Sequence, residues 1–250
     1  MSKQSNKKMR LDALLVARDL ADSVDAAQRL IMAGLVYVDG QKADKAGMNH
    51  PADAEVTVRE VLKYVSRGAL KLERALDDFA LPCDGAVVLD VGASTGGFTD
   101  LMLQRGAARV YAVDVGRGQL HYRLQHDARV INLEKTHVRK LDDHLIPEAV
   151  DALVIDTSFI SLTKVLPAAW PFVKADGWCV ALIKPQFEVA PNQLDRGVVR
   201  DAAVRQQAID KVQAMVVAEL PDAMVQGVVE SPIHGPKGNV EYLLVMRRRG

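Results

Sequence analysis

Residues 87–100 read VVLDVGASTGGFTD: an apolar run, an acid at Asp90, then Gly92, Gly96 and Gly97 within six positions. An apolar run closed by glycines reads as a buried strand turning into a helix. In an open α/β sheet, ligands bind past the carboxyl ends of the strands, where such a turn lets a ligand lie against backbone and the next helix N-terminus. A dinucleotide fingerprint is spaced G-x-G-x-x-G, whereas these glycines are spaced G-x-x-x-G-G. The spacing disfavours a dinucleotide.

Outward from this turn, strands and helices alternate. Strands are expected at AVVLDVG, ARVYAVDVG, VINLE, ALVID, WCVALIK, a weaker VQGVVES and a final VEYLLVM. Most are continuous apolar runs, as in strands buried on both faces of a mostly parallel sheet. Helices are expected over 97–105, 163–173 and 201–219, with an aperiodic loop over 186–200. YVSRGALKLERALDDF reads as an amphipathic helix whose stripe is Leu70, Ala75 (or Leu72), Leu76 and Phe79. Before it lies a small module. Leu11, Leu14 and Leu15, then Val24, Ala27, Leu30 and Ile31, keep helical spacing, with Ser23 as N-cap and Gly34 as C-cap of the second helix. LVYVDGQKA turns back at Asp39–Gly40, and AEVTV supplies another strand. The expected domains are 1–61 and 62–250.

Asp114 ends the second strand, 22 residues after Gly92, where a carboxylate accepts from ribose hydroxyls. A glycine turn and a strand-end acid, in that order, point to a nucleoside-bearing cofactor. The stretch Asp90, Gly92, Ser94, Gly96, Gly97, Phe98 resembles the D-x-G-x-x-x-G-G first motif of S-adenosylmethionine (SAM) methyltransferases. Two further buried-looking strands end in charge, at Asp156 and at Lys184. One such residue is an ordinary polar strand end; two of opposite sign at the ligand-binding edge mark a site. Pro185 is expected to hold the chain after Lys184 out of a helix, presenting the ammonium from a loop. Asp156-Thr157-Ser158-Phe159 is not the N/D-P-P-Y/F motif of adenine amino methyltransferases, and no cysteine pair is placed to attack a pyrimidine, so an oxygen acceptor is favoured.

The chain is similar to the TlyA (haemolysin-A-like) family of ribosomal RNA 2′-O-methyltransferases, on RLIMAGLVYVDGQ, SRGALKL, DVGASTGGFTD, VIDTSFISL, LIKPQFE, GVVRD and SPIHGPKGNVEYLL. The resemblance implies an S-four-type RNA-binding domain, small and α+β, joined to an FtsJ-like domain. The latter would have a Rossmann-like α/β sheet of seven strands with the last antiparallel. It implies a Lys–Asp–Lys–Glu set at Lys71, Asp156, Lys184 and Glu241. A ribose hydroxyl is a poor nucleophile that must be held in line with the methyl group and relieved of its proton. Lys184 orients the oxygen or, with a lowered pKa, takes the proton; Asp156 and Glu241 hold the two lysines. Glu134, ending the third strand, is an adenine-side or ribose-side candidate. Arg10, Arg29, Lys42 and Lys45 are the candidate phosphate contacts of the small domain. The chain departs from the family pattern at Val24, where Arg is usual, at His137, where Asn is, and in LDRGVVRD, which lacks a common lysine.

Composition bounds these readings. At 49% hydrophobic and 26% charged residues, the chain matches a globular protein. No apolar run nears the roughly 20 residues of a membrane span, so neither a span nor a signal peptide is expected. Two cysteines, Cys83 and Cys179, are too few for a zinc or iron–sulfur site, and a reducing cytoplasm fits them. Net charge is zero, so nothing in the whole-molecule charge argues for contact with ribosomal RNA or ribosomal subunits, and the local clusters Lys3, Lys7, Lys8 and Arg10, and Arg247–Arg249, each taken alone read as solubilising ends of a folded domain. A monomer is the expected state. The competing readings are a SAM- and RNA-binding protein without activity and, with less in the sequence to favour it, a haemolysin.

Overall fold

The computed structural model describes residues 8–59 and 63–250. Lys3, Lys7 and the expected junction at 61–62 lie outside them. By its internal contacts the chain divides into two compact units, Met1–Lys63 and Tyr64–Gly250.

The small unit runs β1 (Lys8–Arg10), α1 (Leu11–Ala17), α2 (Val24–Met32), β2 (Val36–Val38), β3 (Gln41–Lys42), β4 (Asn49–Pro51) and β5 (Val56–Val58). β3, β2 and β5 form an antiparallel sheet, and β1 pairs with β4. Ser23 Oγ accepts from Ala26 N and so caps α2; Gly34, at φ +70°, follows it in the left-handed region. Asp39 and Gly40 both have positive φ, which makes the hairpin turn type I′. Leu11, Leu14, Leu15, Ala27, Ile31, Val36, Val38 and Val56 close the core.

The large unit runs α3 (Ala69–Asp78), β6 (Val87–Val91), α4 (Gly97–Gln104), β7 (Arg109–Val113), α5 (Tyr122–Gln125), β8 (Val130–Leu133), β9 (Val150–Ile155), α6 (Leu162–Ala169), β10 (Val173–Ile183), α7 (Pro185–Glu188), α8 (Ala202–Glu219), β11 (Ala223–Glu230) and β12 (Tyr242–Arg248). Seven strands form one sheet in the order β11-β12-β10-β9-β6-β7-β8. β12 runs antiparallel to both neighbours, while β6 to β10 are parallel. α3 and α4 cover one face through Leu72, Leu76, Leu101 and Met102; α6 and α8 cover the other through Val165, Leu166, Ile209 and Val212.

Four local expectations are corrected. Leu70 lies on the outer side of α3, 37% exposed; the buried stripe is Ala69, Leu72, Ala75 and Leu76. The helix expected over 163–173 ends at Ala169 and tightens into a 3₁₀ turn over Trp170–Phe172, where Pro171 supplies no N–H. Residues 186–200 are not wholly irregular. Pro185 opens the short helix α7 instead of preventing one, because the first helical position needs no N–H; Lys184, before it, is extended as a residue preceding proline should be. Arg248 is not merely a solubilising end: its guanidinium bonds Asp222 at 2.6 Å and the Val173 carbonyl.

Candidate active site

The site grows out of strand register. Val91 of β6 pairs with Ile155 of β9, so Gly92 and Asp156 leave the sheet side by side. This is where strand order reverses: the chain runs from β6 outward through β7 and β8, then returns on the other flank with β9. Ile183 of β10 pairs with Tyr242 of β12, so Lys184 leaves the sheet where Glu241 enters it. Lys71 comes from the first turn of α3.

The four side chains meet. Lys71 Nζ is 2.7 Å from Glu241 Oε2 and 3.6 Å from Asp156 Oδ2. Lys184 Nζ is 2.5 Å from Asp156 Oδ1 and donates to Ser158 Oγ at 3.0 Å. Asp156 thus bridges two ammoniums. Glu241 is fully buried and both lysines nearly so, while Asp156 is partly exposed at the cavity edge; buried charges of opposite sign must be close to be tolerated.

The glycines are required by packing. A Cβ on Gly92, at φ +88°, would sit 2.6 Å from the Asp156 carbonyl oxygen; one on Gly97 would meet Ser66 Oγ at 2.4 Å. On Gly96, at φ +94°, a Cβ would strike Leu124. Bareness here lets β6, α3 and α4 converge. The space they leave is a cavity of about 300 Å³ between Gly92, Asp114, Thr136 to Val138 and Asp156 to Ile160. A smaller one of about 150 Å³ lies among Gly68, Ser94, Gly97, Phe98, Asp156 and Lys184. Gly92, Ser94, Asp156 and Ser158 line both.

Asp114 Oδ2 accepts from Ser94 N at 2.8 Å and Oδ1 from Gly116 N at 2.7 Å, so this acid clasps the glycine turn to the next strand. Each oxygen keeps a second lone pair for a hydroxyl. Asp90, Gly96 and Glu134 are absent from the cavity walls. Asp90 is fully buried, with Oδ2 accepting from Thr99 Oγ1 at 2.6 Å and Oδ1 without a partner; burial pushes its pKa up to about 7. Glu134 turns toward the Gly118 backbone N–H and the Asn132 amide, which lower its pKa.

In the small unit, Arg10 grips Asp12 at 3.0 and 2.7 Å, and Gln28 joins the same carboxylate, holding it well below the usual range. Lys42 folds over Gly34, at the C-terminal end of α2 where a cation is favoured. Arg29 and Lys45 are exposed.

Several residues escaped sequence reasoning. Gln186 donates toward Glu241 Oε1 at 3.4 Å, and its own oxygen is buried without a partner. Glu188, 6% exposed, accepts from Ser161 Oγ and Leu162 N, both at 2.6 Å, capping α6 from a distant segment. Phe159, 90% exposed at φ +63°, leans on Phe187 with ring centroids 5.2 Å apart. His137 lines the larger cavity while its Nδ1 accepts from Arg139 N. The departure of TSF from an amino-methyltransferase motif pointed at Phe159, and the departure from the family's Asn marked His137; nothing in the sequence singled out Gln186 or Glu188.

A sheet of this order, with a glycine turn at its switch point and this tetrad beside it, defines a methyltransferase. The chain belongs to the FtsJ-like methyltransferase family, whose model matches residues 64–248, and carries an S4 domain over residues 9–56. It is 46% identical to the 16S/23S rRNA (cytidine-2′-O)-methyltransferase TlyA of Mycobacterium tuberculosis, over 96% of this chain and 90% of that one. It is 36% identical to Hemolysin A of Brachyspira hyodysenteriae, over 94% and 98% of the two chains. A solved structure described as a hemolysin from Streptococcus thermophilus superposes with a TM-score of 0.73 at 39% identity, over 98% of this chain and 90% of that one. Among the described residues no helix is long and apolar enough to cross a membrane.

Proposed function

We propose that this protein transfers a methyl group from SAM to a ribose 2′-hydroxyl of ribosomal RNA, on cytidine, in the cytoplasm. The observation that carries the reading is the bridge from Lys71 through Asp156 to Lys184 at the carboxyl edge of the sheet. The names of its relatives supply the nucleotide and the RNA.

The residues present fit the cofactor. The glycine turn and the paired cavities suit a ligand with a nucleoside at one end and a charged amino-acid tail at the other. Asp114 and Thr136 to Val138 would hold the nucleoside, and the backbone from Ser94 to Phe98 the tail. When bound, SAM supplies an electrophilic methyl carried on a sulfonium.

The chain supplies the rest. Lys184 donates to the ribose oxygen, orients it and offsets its growing negative charge. The hydroxyl proton leaves as the O–C bond forms, and the Lys184–Asp156 pair, joined at 2.5 Å, takes it as a coupled unit. Lys71 and Glu241 keep Asp156 in place from the other side. The buried setting excludes water from a reaction that removes charge from sulfur.

The test is tritium transfer from labelled SAM to ribosomal RNA, followed by mapping of 2′-O-methyl sites. Wild type is expected to label RNA and Lys184→Ala to lose at least about 100-fold. Equal product from both would overturn the reading.

A further inference from the structure

Beside the tetrad lies a group of basic side chains that no role above uses. Arg67, just before α3, and His234 and Lys237, on the segment after β11, line an open cleft of about 800 Å³ whose wall includes Lys71. Gly68 borders both this cleft and the small cavity beside Lys184. All three side chains are exposed. Arg74, Arg105, Arg109, Arg129 and Arg200 on this unit each lie against a carboxylate. Among the described residues no carboxylate lies within ion-pair distance of Arg67 or Lys237.

Lys237 also has a strained backbone, at φ 60° and ψ 12°. A lysine in the left-handed region is strained where glycine is not. The turn imposes this shape. Asn239, 3% exposed, donates to the Pro236 and Gly197 carbonyls at 3.1 and 3.0 Å and accepts from Val199 N at 3.1 Å, tying two loops together. The Lys237 side chain is exposed, so packing does not account for a lysine there.

The acceptor chemistry says what the charge meets. A ribose 2′-hydroxyl is on the carbon next to the one bearing the 3′-phosphodiester, so a site that takes the hydroxyl must house a negative charge close by. Asp156 and Glu241 would repel it. We propose that Arg67, His234 and Lys237 form a phosphate-binding cleft that seats the RNA backbone flanking the target ribose. The inference rests on the RNA methyltransferase reading above.

Its test uses the full chain, protein-free ribosomal RNA transcribed in vitro, and the variants Arg67→Ala, Lys237→Gly and Lys237→Arg. Lys237→Gly is expected to weaken RNA binding about 3- to 10-fold and to lower the slope of log affinity against log salt by about 0.7–1. Its SAM affinity is expected to stay unchanged, and its melting temperature to equal or exceed that of wild type, because glycine relaxes the turn. Arg67→Ala is expected to act in the same direction, and Lys237→Arg to restore binding. Unchanged affinity and slope in Lys237→Gly would overturn the cleft, as would weakened binding that appears only with a lowered melting temperature. RNA binding is read without catalysis. An inactive wild type would therefore count against the methyltransferase reading alone, while the slope would still decide for or against the cleft.

Discussion

Lys184 Nζ stands 2.5 Å from one oxygen of Asp156, and the other oxygen of that carboxylate faces Lys71 at 3.6 Å. One acid therefore aligns two cations contributed by separate elements, the end of β10 and α3. Asp156→Asn keeps the shape and removes the charge. Single-turnover methyl transfer to ribosomal RNA is expected to slow by about 100-fold or more. A rate within a few-fold of wild type would mean that the carboxylate neither aligns the lysines nor shares the proton.

Glu241 is held from an unexpected side. A Cβ on Gly235 would lie 2.1 Å from Glu241 Oε1, so Gly235→Ala must displace that carboxylate and, through it, Lys71. We expect about a tenfold loss of rate, because small misplacements in a set of this kind are costly. Titration with SAM should show donor affinity near that of wild type, since Gly235 does not line the cofactor cavities.

Gly92→Ala should destabilise the fold rather than only the site. The alanine would be forced to φ +88° with its methyl against the Asp156 backbone, where neither strand can yield. A cost of about 2 kcal/mol or more is expected, lowering the melting temperature by roughly 4–8 °C in a domain of this size. A calorimetric scan showing no shift would contradict the close strand approach.

Asp90 makes stability depend on pH. Burial raises its pKa from 3.8 to about 7, so between those values the folded protein keeps a proton that the unfolded chain has lost. This contribution favours folding at pH 4 and is lost as pH rises to 7. Asp90→Asn removes the titration. Relative to wild type the variant should gain stability as pH rises from 4 to 7, the gain then levelling off, as measured by denaturant unfolding without SAM.

Much of this site was legible in the sequence because strand ends are. Apolar runs that stop at Gly92, Asp114, Asp156 and Lys184 declare where the sheet edge lies, and register then makes these residues neighbours. Lys71 and Glu241 were legible only through family resemblance, since a helix lysine and a pre-strand glutamate look like ordinary surface charge. The remainder depends on contacts distant in sequence. Glu188 caps α6 across 26 residues, and Gln186 meets Glu241 across 55. The β1–β4 pair consists of two short, polar strands with little apolar alternation. Leu70 was misplaced because the stripe of a ten-residue helix can be drawn one position off, and Pro185 because proline stops a helix from within yet starts one at its first turn.

The two main-chain amides gripped by Asp114 carry a last consequence. A nucleotide pocket left slack would have to freeze its walls on each turnover, and that entropy would be subtracted from affinity every time. Here the walls are set once, when the chain folds. Losing that one acid should therefore weaken donor capture twice over, by removing a contact and by loosening the turn that Ser94 and Gly116 hold in place.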